Sequence, residues 1–153
     1  MTPKMNVAYS FSWLLPSGNI SQVQAIIESL RQFAIDLGSE SVSDVIVLTG
    51  NEAQAIRLDA YHVIMFTAII PNATSEGGPQ RYGLGFSPEK KGWSFSGVVR
   101  ASSFREISAL MVHAASLGVE VGTTFAGMEM LYQKNSEGEI EVEQRSGFDP
   151  ETF

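Results

Sequence analysis

The chain has 153 residues, with 10 Lys and Arg against 17 Asp and Glu, a formal net charge of −7. At 44% hydrophobic and 18% charged it has the size and composition of one globular domain rather than a disordered segment. Cysteine is absent and the only histidines are His62 and His113, which excludes disulfides, thiolate metal sites, thiol catalysis and a three-histidine metal centre, while the net acidity disfavours a phosphate-backbone partner.

The first segment alternates. Val7, Tyr9, Phe11, Trp13 and Leu15 fall on one face, and Asn6, Ser10 and Ser12 on the other, which predicts a strand with one buried face. The same polar residues interrupt the apolar core that a secretory leader needs. No run of 18 apolar residues occurs anywhere, so a cytoplasmic protein without a membrane span is expected. Pro16-Ser17-Gly18 ends the strand. Ile20, Val23, Ile26, Ile27, Leu30, Phe33, Ala34 and Leu37 then recur at helical spacing, with Asn19 and Gln22 set as a capping box and Gly38 as the stop. Val45–Leu48 is apolar on both faces and reads as an interior strand, followed by a turn at Gly50-Asn51-Glu52. Tyr61–Ile70 reads as a second interior strand.

Residues 71–80 form the longest loop-like stretch. A strand pair follows over 81–86 and 92–99. A second helix is predicted from about Phe104 to Leu117, with Ser103 and Glu106 as its capping box and Gly118 as its stop. Three strands close the chain, over 119–125, 128–133 and 139–144. From Glu120 onward there are eight acids and two bases, so the net charge sits almost wholly in this last segment.

Tyr9-Ser10-Phe11-Ser12 is echoed by Trp93-Ser94-Phe95-Ser96, and the helices that follow share the same phase. The expected fold is therefore α+β: an antiparallel sheet of six to eight strands with two helices on one face, built as a duplicated βαββ (ferredoxin-like) unit. Residues 1–153 form one domain, with pseudo-repeats over 5–75 and 80–145 and an acidic flexible tail over 146–153. The aromatic faces of the echoed strands should lie under the helices. The opposite face should be uncovered and lined by Ser10, Ser12, Ser94, Ser96 and Arg100.

Few constellations carry chemistry. Glu106 and His113 share a helix but stand about 10.5 Å apart along its axis, too far for a hydrogen bond. His113 is expected at the helix rim. No nucleophile elbow, phosphate loop or dinucleotide fingerprint is present. Non-catalytic binding or accessory work through the polar sheet face or the acidic C-terminal surface is the leading expectation, with neither cofactor nor metal. A second reading is a small-molecule enzyme that uses Arg100 as anion anchor, Tyr82 as positioning group and His62 as acid or base. It requires His62 and Arg100 in one pocket. A third is an inhibitor or immunity-type protein that meets a basic partner through the carboxylate row of Glu139, Glu141 and Glu143. A homodimer is compatible with each of these.

Overall fold

The computed structural model describes residues 7–74, 78–125 and 128–146. Residues 75–77 of the predicted loop and all of the expected acidic tail after Ser146 lie outside them.

Eleven elements follow one another: β1 (Val7–Leu15), α1 (Ile20–Asp36), β2 (Ile46–Thr49), α2 (Asn51–Ile56), β3 (His62–Ala68), β4 (Gln80–Ser87), β5 (Gly92–Ala101), α3 (Arg105–Ser116), β6 (Glu120–Phe125), β7 (Met128–Lys134) and β8 (Ile140–Ser146). The eight strands make one open antiparallel sheet in the order β2-β3-β4-β5-β1-β6-β7-β8. An α+β fold with an antiparallel sheet is thus what the chain adopts.

The period-two pattern of β1 does what it predicts. Tyr9, Phe11 and Trp13 are buried while Ala8, Ser10, Ser12 and Leu14 are exposed. Opposite residues of an antiparallel pair share a face. Pairing of Leu15 with Trp93, Tyr9 with Val99 and Trp13 with Val121 therefore sets the helix-covered side of β5 and β6. Val23, Ile27, Leu30 and Ala34 of α1 and Ile107, Leu110, Met111 and Ala114 of α3 close this core from above. Each fully buried Leu or Ile contributes about 1.5–3 kcal/mol through lost apolar surface. The Trp13 Nε1–H is satisfied by the Met111 sulfur at 3.2 Å, and the Tyr9 ring stacks on Phe104 with centroids 4.8 Å apart.

The Asn19–Gln22 capping box of α1 is formed in both directions, at 2.9 Å each way. Gly38, at φ +94°, takes the left-handed position that ends this helix. The box expected at α3 is not formed. Phe104 is the N-cap residue and offers no side-chain bond. Ser103 reaches only the Arg105 N–H, at 3.3 Å, and Glu106 turns away to accept from Asn72 Nδ2 at 2.9 Å. Glu106 therefore ties the loop after β3 to α3 instead of closing the helix.

Three further expectations are corrected. There are three helices, since Asn51–Ile56 winds into α2 where a plain turn was predicted. This helix lies on the opposite face from the other two, over a small cluster of Ala53, Ala60, Val63 and Met65. The strand over 45–48 is not interior. β2 is an edge strand, and its apolar residues are shared between the two helix layers, leaving Ile46 42% and Val47 40% exposed. The duplicated unit is also not borne out. The echoed strands β1 and β5 are neighbours at the sheet centre, with Ser12 opposite Ser96. Beyond them, α1 leads out to the edge strand β2 and the chain returns inward. By contrast, α3 leads to β6 beside β1 and the chain proceeds outward.

Candidate binding surface

Among the described residues, the face of the sheet opposite α1 and α3 is covered only at one end, by α2. Alternation along the central strands brings Ser10 and Ser12 of β1, Ser94, Ser96, Val98 and Arg100 of β5, Gly122 and Thr124 of β6, and Glu129 and Leu131 of β7 onto it. Two adjoining hollows mark this surface. One, of about 420 Å3, is floored by Ser10, Ser12, Ser96, Gly122 and Thr124 and edged by Glu129 and Leu131. The other, of about 630 Å3, runs from Ser12 and Ser96 to Ile56, Arg57 and Asp59 beside α2. Ser12 and Ser96 belong to both, so the two make one trough across the middle of the sheet. Gly122 keeps the floor low, because a Cβ there would stand 3.0 Å from Ser12 Oγ. The hydroxyls of Ser10, Ser12 and Ser96 form no hydrogen bond with any described residue.

The ends of the trough differ in charge. Next to α2, Arg57 donates to both Asp59 carboxylate oxygens, at 2.6 and 3.1 Å, and from Nη1 to the Ser94 carbonyl and hydroxyl at 2.7 and 2.8 Å. Hydrogen bonding from Arg57 holds the Asp59 carboxyl below its usual value. Arg57 is thereby held between Asp59 and Ser94, a structural tie at this end of the trough. At the far end the exposed side chains are Glu129, Glu141 and Glu143.

A separate opening lies within the sheet. The ladder between β4 and β5 holds only Gly85–Ser94, Phe86–Trp93 and Ser87–Gly92. The Phe86 carbonyl faces β3, where it accepts from the Tyr61 N–H, and the Arg100 carbonyl faces the other way, accepting from the Thr74 N–H. By alternation, the main chains of Arg81 and Gly83 on β4 and of Ser96 and Val98 on β5 point into the gap without a ladder partner. The loop after β3 fills one end through an Ala73–Ala101 bridge. What is left is a cleft of about 350 Å3 lined by Ala68, Ile70, Ala73, Thr74, Pro79, Gln80, Tyr82, Val98, Val99 and Arg100, among others. Tyr82 is only 1% exposed, packed among Phe11, Trp13 and Phe66, yet its hydroxyl bonds to no described residue. The ring is buried, but the hydroxyl lies on the lining of the cleft, where water or a ligand can reach it. Burial also pushes its pKa up, so it remains a protonated donor.

The sequence-predicted site residues are therefore divided. Ser94, Ser96 and Arg100 share the open face. Tyr82 faces the helix-covered side and meets Arg100 only across the cleft. His62 stands opposite Phe86, which stands opposite Trp93, all on the helix-covered side. Trp93 is seven residues from Arg100 along β5, about 23 Å. The Arg100–Tyr82–His62 arrangement is not assembled, because His62 lies on the wrong face and at the wrong end of the sheet. Glu141 and Glu143 share the open face of β8, an edge strand, with Glu139 just before it. Glu141 accepts from Asn135 Nδ2 at 3.2 Å. His113 is half-buried at the rim of α3 but is held there rather than free in solvent. Its ring stacks on Phe33 at 4.3 Å and bonds to Ser29 Oγ at 3.1 Å, joining α3 to α1.

Arg57, Asp59 and Gly122 were not foreseen. Arg57 and Asp59 follow a six-residue helix too short to show periodicity. Gly122 matters only through the strand beside it. Among the described residues no three His, Asp or Glu side chains are grouped to hold a metal ion, and no helix is long and apolar enough to cross a membrane. Set against protein-family models, curated proteins and solved structures, the chain matches none.

Proposed function

We propose that the protein is a non-catalytic binding protein whose ligand lies in the trough on the open face of the sheet. The observation that carries this reading is the trough itself. No described residue covers it, its floor is a set of small residues, and three of its hydroxyls have no partner among the described residues. Uncharged donors and acceptors on a wide floor suit a neutral, hydrogen-bonding ligand better than an ion. The charged groups at the ends set orientation. In keeping with this reading, the Arg57–Asp59 ion pair beside the trough holds Ser94 and α2 in place.

The test is a thermal-shift screen of neutral polyols, sugars and nucleosides on the wild type and on the double variant Ser12→Leu/Ser96→Leu, which fills the trough. A compound that raises the melting temperature of the wild type but not of the folded variant is the expected result. Equal shifts in both proteins, or turnover of the compound, would overturn the reading. The second reading is a basic partner at the Glu139, Glu141 and Glu143 edge, favoured by the exposure of that edge. Its association should weaken with salt and disappear on charge reversal of the three.

A further inference from the structure

We propose that the cleft where β4 and β5 separate is a second binding site, distinct from the trough, and that it takes a short oxo-acid, a compact molecule with a carboxylate at one end and a neutral carbonyl at the other. Among the described residues four polar side chains line the cleft: Thr74, Gln80, Tyr82 and Arg100. None of these is acidic, and Arg100 is the one charged residue among the described lining residues. It is exposed and makes no ion pair or hydrogen bond with any described residue through its guanidinium, whose planar fork matches a carboxylate. The inner end is different. The Tyr82 ring is buried, and its hydroxyl, on the cleft lining, is a donor with no partner among the described residues. A second charge at that end would find no counter-ion among the described residues, which favours a neutral acceptor for Tyr82.

Between these ends the walls are apolar, from Ile70, Pro79, Val98 and Val99. They fit a short hydrocarbon body. The main chain of Val98, which lies outside the β4–β5 ladder, borders the same space and can serve the carbonyl or a bound water. At about 350 Å3 the cleft falls in the range of small-molecule sites.

The experiment is a titration of isotope-labelled protein with 4-oxopentanoate, its methyl ester, pentanoate and inorganic phosphate, read from the amide resonances of Val98, Val99 and Arg100. Saturable shifts with 4-oxopentanoate are expected, with binding about tenfold weaker for the ester and for pentanoate. Arg100→Gln should weaken the oxo-acid by about tenfold as well. Tyr82→Phe keeps the ring that packs the core, so this variant folds. It should lower the affinity for 4-oxopentanoate to that for pentanoate and leave pentanoate unchanged. The trough variant Ser12→Leu, on β1 away from the cleft lining, should bind the oxo-acid like the wild type, which separates failure of this site from failure of the trough. No saturable shift with 4-oxopentanoate, equal binding of the ester or of phosphate, or indifference to either substitution would overturn the proposal.

Discussion

Gly97 faces Phe11 across the central ladder, and a Cβ there would come within 2.8 Å of the Phe11 ring and 2.9 Å of the Gln80 amide. The large ring of β1 is accommodated because its partner has no side chain. Gly97→Ala should therefore destabilise the protein by about 1–3 kcal/mol, the usual penalty of an overfilled core, seen as a lower urea midpoint at unchanged slope. Gly83 makes a similar concession to the Ile64 carbonyl and Met65. In the sequence these glycines read only as weak points in strands. Which neighbour they admit depends on register, and register is a property of two strands together.

At the scale of elements, helix α1 was legible to its ends. Its stripe, its capping box and its terminal glycine are all local signals. The cap of α3 was not, because Glu106 had a competing partner in Asn72, 34 residues earlier. Likewise the polar face of β1 and β5 could be read from period-two alternation, but the early end of the β4–β5 ladder could not. Contact between α1 and α3 carries its own prediction. Burial against Phe33 and Ser29 lowers the pKa of His113. The folded protein therefore holds this proton less well than the unfolded chain. The stabilisation is present above the unfolded value of about 6.5 and is lost as pH falls towards the lower folded value. Chemical denaturation between pH 7.5 and 5 should show this loss in the wild type, and His113→Gln should reduce it.

Across the whole molecule, an open sheet has two unpaired edges, and here they are protected differently. β2 is short, four residues long. β8 is seven residues long and relies on its charges. Replacing Glu141 and Glu143 with Val should leave the monomer folded but promote association, visible as a rise in light scattering at concentrations where the wild type stays monodisperse. The acidity that dominates the overall charge is thus placed where an edge most needs it.

The position of β1 has a kinetic consequence. The first strand made is the middle strand of the sheet, and both of its neighbours, β5 and β6, are made after residue 91. During synthesis Tyr9, Phe11 and Trp13 must wait as an unpaired aromatic stripe until well over half of the chain has emerged. The β7–β8 hairpin, by contrast, closes from a local turn. Such an order of assembly makes loop closure the slow step, and folding should take milliseconds to seconds rather than microseconds. Nascent chains cut short before β5 should be held by chaperones or aggregate, whichever surface finds the stripe first.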